Sequence, residues 1–294
     1  MSSDLASNVH KDISYVSSPN PLQKLDLYLP PHSTTIITET NYYPPVIVFI
    51  HGGAWRTGDK NQFIKLGQGL SHLGNCAVAI VNYRLTTKDT SEIKNPLHVQ
   101  DVAAAISWIS LNAKNYGYRD DRIYLVGNSA GAFISGQIIL NPEYLDFHDS
   151  NLLTNICGVI GIEGIYDLVN LLRSNPNYIE FVEPAFGADE MILKSISPQY
   201  IAINSKIPPY LIIHSVEDEL VEIDQSNNYL EHIKDCGAEI VEIETSLKGK
   251  HDEIVQSDEL IQRMVEFILN IESKEAGWSQ FVEIAMKAIN FPIF

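Results

Sequence analysis

The stretch VGNSAGAF, residues 126–133, places Ser129 between two glycines, directly after a short apolar run and directly before a helical pattern. A serine hydroxyl is a weak nucleophile, so it needs a base within hydrogen-bond reach and a third group that orients the base. The pattern G-x-S-x-G also arises in ordinary tight turns, which favour Gly and Ser for backbone reasons. The pentapeptide therefore indicates a reactive serine only if the rest of the chain supplies partners.

The base is sought among the histidines that follow the serine, because a strand, sharp turn and helix around the nucleophile go with the chain order serine, acid, histidine. His214 lies within an apolar strand pattern, His232 within a helical pattern, and His148 in a polar loop before the next strand. His251 stands in KGKHDEI, a polar segment just past the last predicted strand. The sequence therefore predicts His251 as the base.

The acid is expected just past the end of the preceding strand, where HSVEDEL supplies three carboxylates. One helix and one strand fit between Asp218 and His251, as a β-α-β step requires. We predict Asp218 as the acid. Its neighbour Glu217 stays an alternative, since this chain order accepts either type of carboxylate.

Hydrogen-bond donors for an oxyanion are the remaining requirement of acyl transfer. The segment HGGAW, residues 51–55, directly follows the apolar strand pattern VIVFI, and its glycines allow backbone amides to turn toward a reacting carbonyl. We predict the amides of Gly52 and Gly53 as donors, together with that of Ala130, which follows the serine. The agreement of these features predicts that Ser129 reacts.

Short β-branched runs, most of them apolar throughout, alternate with helical patterns along the chain. The strands are predicted at residues 46–50, 76–83, 122–128, 156–162, 210–215 and 239–245, and the helices at 63–73, 96–117, after Ser129, at 225–236 and at 257–271 with Ser257 as N-cap. This alternation predicts an α/β fold with a mostly parallel, doubly wound sheet in a single domain, residues 1–294, preceded by antiparallel strands at 11–17 and 24–30. Chemistry is then expected at the carboxyl ends of the strands.

Two segments lie outside this alternation. Residues 165–200 carry several aromatic side chains and emerge from the carboxyl end of a strand, so we predict a small lid insertion, with a longer surface connection as the alternative. Residues 272–294 form a C-terminal extension, which we expect to pack against the body of the protein rather than to make an oligomer or membrane contact.

Charge and cysteine content limit the partners. With 20 Lys and Arg against 37 Asp and Glu, a formal net charge of -17 disfavours nucleic acid and anionic membrane surfaces. Cys76, Cys157 and Cys236 lie far apart without metal-ligand spacing, which predicts free thiols, no metal and no cofactor. Without a signal-peptide pattern or a membrane-length apolar run, we predict a cytoplasmic protein with a small-molecule substrate; a homodimer stays open.

The motifs HGGAW, GNSAG, HSVEDEL and GKHDE, in this order, resemble the α/β-hydrolase superfamily, in the branch of hormone-sensitive-lipase-like esterases and kynurenine formamidases. The resemblance runs from about residue 12 to about residue 271. It implies the α/β-hydrolase fold and the same nucleophile, acid, base and oxyanion donors as above, namely Ser129, Asp218, His251, Gly52, Gly53 and Ala130.

Within this branch, GIYDL at 164–168, residues 175–187 and Ser215 of HSVEDEL are most similar to fungal kynurenine formamidases, which hydrolyse N-formylkynurenine in tryptophan breakdown. The chain departs from lipase relatives by lacking a third glycine in HGGAW and by having Asn128 where His is common. The resemblance implies hydrolysis of an aryl formamide or small acyl ester. A general short-chain carboxylesterase and an isoprenylcysteine methylesterase-like enzyme are the alternatives.

Aromatic side chains are the candidates for substrate contact. Trp55, next to the oxyanion glycines, is expected to keep the acyl pocket small, and Tyr166, Tyr178, Phe181 and Phe186 are expected to pack an aromatic leaving group. Packing of the lid against the body is the alternative reason for these aromatics. A catalytically silent receptor would tend to lose a triad member, and a lipid-surface lipase would need an apolar lid, whereas residues 168–199 mix charge with aromatics.

Overall fold

The computed structural model of the chain describes residues 8–17, 19–31, 43–149, 151–202 and 206–274. Within these ranges eight strands form one sheet in the order β1-β2-β4-β3-β5-β6-β7-β8. The strands are β1 Val9–Ser14, β2 Lys24–Tyr28, β3 Val46–Ile50, β4 Ala77–Val81, β5 Ile123–Asn128, β6 Ile156–Ile162, β7 Tyr210–Ile213 and β8 Val241–Glu244. Each strand lies within or close to a predicted β-branched run.

The sheet is parallel from β4 to β8, and β1 and β2 are added antiparallel at one edge. The prediction of a mostly parallel sheet with antiparallel N-terminal strands is confirmed. Because β3 to β8 run in the same direction, their carboxyl ends emerge at one edge of the sheet. The loops that carry the candidate residues all leave from this edge.

The helices are α1 Ile64–Leu73, α2 Leu97–Tyr116, α3 Ala130–Leu140, α4 Glu143–Asp146, α5 Leu168–Ser174, α6 Ile179–Phe186, α7 Glu190–Ile196, α8 Asp224–Asp235 and α9 Asp258–Glu272. Five of the helices agree with the predicted segments to within one or two residues, and the four short helices α4 to α7 were not predicted. A 3-10 turn, Lys60–Phe63, precedes α1. Ser257 caps α9 as predicted, because its side chain accepts a hydrogen bond from the amide of Leu260.

Both faces of the sheet are buried, which explains the continuous apolar runs. In β3, Val46, Val48 and Ile50 face one core, while Ile47 and Phe49 face the other, as the two-residue period of a strand requires. Side chains of α2, α3 and α8 complete the first core, and those of α1 and α9 complete the second. Helices on both faces make the sheet doubly wound.

Residues 165–200 contain three short helices, α5, α6 and α7, rather than an open loop. The predicted C-terminal extension lies outside the described residues from residue 275 onward. Within the described part of the chain, no helix is long and apolar enough to cross a membrane. The three cysteines are free thiols, with Cys76 buried and the other two half-buried.

Candidate active site

Ser129 occupies the single residue between the end of β5 and the start of α3. Its backbone has φ 53° and ψ -116°, a region that residues other than glycine adopt rarely and at a cost in free energy. The amide of Ser129 donates to the carbonyl of Ile162 at 2.8 Å, which ties the turn to the neighbouring strand β6. The strand, sharp turn and helix thus hold the serine at the carboxyl edge of the sheet.

The two glycines of GNSAG are required by close approach of backbone to backbone. A Cβ atom on Gly131 would overlap the carbonyl of Ile50 at the end of β3, and one on Gly127 would overlap the carbonyl of Gly131. The first turn of α3 therefore packs directly on the strands. These glycines permit the sharp turn at Ser129 and the close packing of α3 on the sheet.

Asp218 and His251 meet beyond the ends of β7 and β8. The Oδ2 atom of Asp218 lies 2.7 Å from Nδ1 of His251. The Oδ1 atom accepts from the amides of Leu220 and Val221 at 2.8 and 2.9 Å, and the carboxylate is 1% exposed. Burial opposes ionisation of this carboxyl, but the hydrogen bonds, led by that of His251, outweigh it and hold the pKa of Asp218 well below its usual range.

The neighbouring carboxylates bind elsewhere. Glu217 accepts from the amide of Gly249 at 3.1 Å, and Glu219 accepts from the backbone amide of His251 at 3.2 Å. Glu217 and Glu219 thus both hold the loop that carries the histidine, but Asp218 is the carboxylate that forms a hydrogen bond with the imidazole ring. Because an ionised carboxylate only accepts, Nδ1 of His251 carries a hydrogen and Nε2 is left with a lone pair that can take up a proton.

The loop after β3 turns sharply at its glycines. Gly53, Ala54 and Trp55 have φ of 104°, 51° and 58°, so the chain reverses within three residues. A Cβ atom on Gly52 would lie 2.9 Å from Cβ of Ser129, which shows how closely this loop approaches the serine. Ala130 is the first residue of α3, and an amide at that position has no partner within its helix.

Ser129 and His251 line one cavity of about 510 Å³, together with Gly52 and Gly53. Apolar side chains form much of its wall: Phe63, Ile165, Phe181, Leu220, Val221 and Val255. The polar contributors besides Ser129 and His251 include Arg56, Gln62, Asn128, Tyr178, Asp252 and Gln256. The structure therefore brings together the serine, the histidine, the two glycines and two of the predicted aromatics, Tyr178 and Phe181.

Trp55, Tyr166 and Phe186 lie in the core instead, so the structure does not support their predicted contact with substrate. Trp55 is 0% exposed, and its ring centroid lies 4.7 Å from that of Phe186. Tyr166 stacks on Tyr229 at 3.9 Å. Since the loop has already reversed at Trp55, the indole points under residues 165–200, where these aromatics join the insertion to the body.

Arg56 is a cavity residue that sequence reasoning missed. Its guanidinium lies 5.0 Å from the ring centre of Phe181 and donates to Glu180 at 3.1 Å. Arg56 is the single Arg or Lys among the side chains that line this cavity. Its position three residues after Gly53, the second predicted oxyanion donor, was the signal available in the sequence, but its ion-pair partner Glu180 is 124 residues away in sequence.

A second cluster beside the site has ligand types that could suit a metal ion, namely Glu163, His214 and Asp218. The Nε2 atom of His214 lies 2.9 Å from the carbonyl of Val221, and Nδ1 lies 2.7 Å from the hydroxyl of Ser226. A carbonyl only accepts, so Nε2 carries the hydrogen and offers no lone pair to a cation. The geometry of this cluster therefore does not suit a metal ion.

The fold and the site define the class of protein as an α/β-hydrolase. The BD-FAE family model matches residues 25–233, which is more than half of the chain. The chain belongs to this family of α/β-hydrolase esterases, as the resemblance predicted, and it is a hydrolase.

The names of similar proteins point to more than one type of substrate. Kynurenine formamidase avaC of Aspergillus versicolor is 30% identical over 253 residues, covering 72% of this chain and 84% of the relative. The probable isoprenylcysteine alpha-carbonyl methylesterase ICMEL1 of Arabidopsis thaliana is 28% identical over 286 residues, covering 90% of this chain but 57% of the relative. The chain thus spans little more than half the length of that methylesterase.

A solved structure described as a truncated form of a carbohydrate esterase from gut microbiota superposes with a TM-score of 0.74 at 21% identity. It covers 93% of this chain and 99% of that chain. At this level of identity the likeness supports the α/β-hydrolase fold and says nothing about the substrate.

Proposed function

We propose that this hydrolase is a kynurenine formamidase that cleaves N-formylkynurenine to kynurenine and formate by nucleophilic catalysis. Ser129 is the nucleophile, His251 the general base and acid, and Asp218 the group that orients the histidine. The observation that carries the proposal is the 2.7 Å hydrogen bond from His251 to Asp218 beside the cavity that Ser129 also lines. The amides of Gly52, Gly53 and Ala130 are the donors for the oxyanion.

The reaction follows from these positions. The Oγ atom of Ser129 attacks the formyl carbon while Nε2 of His251 takes the hydroxyl proton, and Asp218 stabilises the imidazolium that forms. The oxyanion collapses, the C–N bond breaks, and His251 returns the proton to the departing aryl amine. Water then attacks the formyl ester of Ser129 with His251 again as base, which releases formate and restores the serine.

The cavity wall supports an aromatic substrate with an amino-acid group. Tyr178 and Phe181 offer ring surfaces for the aryl group of the leaving amine. The α-carboxylate of N-formylkynurenine matches the guanidinium of Arg56, which lines the cavity, and its α-ammonium group matches the carboxylate of Glu180, the ion-pair partner of Arg56 outside the cavity lining. A formyl group needs almost no acyl pocket, so the volume of the cavity is left to the leaving group.

The test is a comparison of kcat/KM for N-formylkynurenine with kcat/KM for p-nitrophenyl acetate and p-nitrophenyl butyrate. We expect the formamide to be the best substrate, the acetyl ester to be turned over more slowly, and longer acyl chains to be poor. A kcat/KM for N-formylkynurenine well below that for the butyryl ester would replace the formamidase by a general carboxylesterase.

An isoprenylcysteine methylesterase is the second candidate, because the Arabidopsis relative matches 90% of this chain and the cavity has an extended apolar wall. Replacement of Arg56 by Gln separates the two. A methyl ester of a prenylcysteine has no free carboxylate, so its turnover should not change, whereas kcat/KM for N-formylkynurenine should fall by roughly five- to tenfold. Turnover of p-nitrophenyl acetate by the same variant is the control for intact chemistry.

A further inference from the structure

Glu163 is a buried carboxyl directly behind the candidate site. It follows the last residue of β6 and has φ 50°, in the left-handed region that glutamate rarely adopts. Its amide donates to the carbonyl of Ile213 at 2.9 Å, which fixes it between the ends of β6 and β7. The side chain is 0% exposed, although a glutamate is almost never fully buried without a partner.

One of its two carboxyl oxygens is left without a donor. The Oε1 atom accepts from the amide of Ser215 at 3.0 Å. The Oε2 atom has no hydrogen-bond partner among the described residues, and it lies 3.5 Å from Nε2 of His214, whose hydrogen is directed to the carbonyl of Val221. The same Nε2 atom lies 3.6 Å from Oδ2 of Asp218, and ligand atoms of Glu163, His214 and Asp218 lie within 4.8 Å of one another, so the two carboxyl groups are neighbours.

Two adjacent carboxyl groups away from water do not both ionise. Asp218 receives three hydrogen bonds, from His251, Leu220 and Val221, whereas Glu163 receives one. Of the two carboxyl groups, that of Asp218 is therefore the one whose ionised form is better stabilised. Burial, and then the nearby Asp218, raise the pKa of Glu163 to about 10.

We propose that Glu163 is a positioning residue that carries a proton on its orphan oxygen and donates it in a hydrogen bond to the Asp218 carboxylate. The proposal rests on the proposed roles of Asp218 and His251. A neutral donor holds the aspartate in place and stabilises its charge without adding a second negative charge. Glu163 would then be the fourth member of a line that runs from Ser129 through His251 and Asp218.

The titratable groups that surround Glu163 are Asp218, His214, Glu219 and Tyr166, and His251 contacts Asp218 rather than Glu163. Burial lowers the pKa of His214 and raises the pKa of Tyr166 well above its usual range, so both are neutral near pH 7. Among these groups, Asp218 is the acceptor with which the Glu163 side chain interacts by hydrogen bonding.

The test compares Glu163→Gln with Glu163→Ala. In the glutamine variant the carbonyl oxygen keeps the hydrogen bond from Ser215, so the amide nitrogen takes the place of Oε2 and donates to Asp218. We expect kcat to stay within about threefold of the wild type and the midpoint of the acid limb of kcat/KM to stay unchanged, because one neutral donor replaces another. Glu163→Ala should lower kcat about tenfold or more with KM nearly unchanged.

A midpoint that moves to lower pH in Glu163→Gln would overturn the proposal. It would show that the wild-type Glu163 is ionised and stabilises the imidazolium. An infrared difference spectrum of wild type minus Glu163→Gln near neutral pH provides a readout without activity, and we expect the carbonyl band of a protonated carboxylic acid. Absence of this carbonyl band would also overturn the proposal. This readout does not depend on Glu163→Ala, so it remains decisive if that variant does not fold. Full activity of a Ser129→Ala variant would instead refute the proposed function and leave the infrared result standing.

Discussion

Replacement of Asp218 by Asn tests the assignment of the acid, because the structure dictates how the new amide must point. The amides of Leu220 and Val221 both donate to Oδ1 of Asp218, so the carbonyl oxygen of the asparagine must take that position. Its NH2 group then replaces Oδ2 and faces Nδ1 of His251. Since two donors cannot face each other, the imidazole must present its lone pair at Nδ1 and carry its hydrogen on Nε2.

With a hydrogen on Nε2, His251 cannot accept the proton of Ser129. The loss of kcat expected for the wrong tautomer with intact geometry is about 10⁴-fold, which corresponds to roughly 5.5 kcal/mol of transition-state stabilisation. The assay is kcat on N-formylkynurenine and on p-nitrophenyl acetate, with circular dichroism to show an intact fold. Glu217→Gln is the matched control, because that carboxylate contacts the amide of Gly249 rather than the imidazole, and its kcat should change by no more than a few-fold.

The reverse result would refute this reasoning. If Glu217→Gln removed activity and Asp218→Asn retained it, the loop would present a different carboxylate to His251 in solution. Comparable moderate losses in both variants would show that neither carboxylate alone fixes the tautomer of the histidine.

Three further outcomes follow from the geometry. The raised pKa of Glu163, about 10 against an ordinary value of 4.5, means that its favourable contribution to stability is complete below pH 4.5 and is lost as the pH rises toward 10. The free energy of unfolding, measured by urea titration at a series of pH values, should therefore fall more steeply with rising pH for the wild type than for Glu163→Gln. The difference in slope should reach up to about 1.4 kcal/mol per pH unit near pH 7 to 8, and parallel plots of this free energy against pH for the two proteins would contradict it. Gly131→Ala should lower the free energy of unfolding by about 3 kcal/mol or more, since the new methyl group would overlap the carbonyl of Ile50. Gly237→Ala is the control: no atom lies within 4 Å of its Cβ position, so the free energy of unfolding should fall by little more than the strain of φ 90°. Treatment with EDTA should leave activity unchanged because Nε2 of His214 is committed to a carbonyl, and a loss restored by zinc would show a catalytic metal.

The sheet could be predicted from the sequence because strands buried on both faces must be apolar throughout. The runs at β3, β4 and β5 have this character, and the last helix, α9, has a clear boundary at its N-cap Ser257. The order of Ser129, Asp218 and His251 along the chain then limited the candidate partners to a few residues. Local pattern was sufficient for these elements.

The direction of individual side chains could not be predicted in the same way. The indole of Trp55 points into the core because three successive residues have positive φ, and no local pattern reports such a reversal. Glu163 stands next to Asp218 only because β6 and β7 are neighbours in the sheet. Arg56 meets Glu180 across 124 residues of chain for a similar reason. Contacts of this kind depend on the tertiary structure, which the sequence pattern does not contain.

Covalent labelling tests the central claim, that Ser129 is the nucleophile, most directly. The purified protein is treated with an aryl alkylphosphonate ester, and the modified residue is identified by mass spectrometry of the intact chain and its peptides. We expect one phosphonyl group per chain on the peptide that contains GNSAG, loss of hydrolysis in proportion to labelling, and no labelling of Ser129→Ala. A label on another serine with loss of activity, or full activity after Ser129 has been modified, would contradict the account.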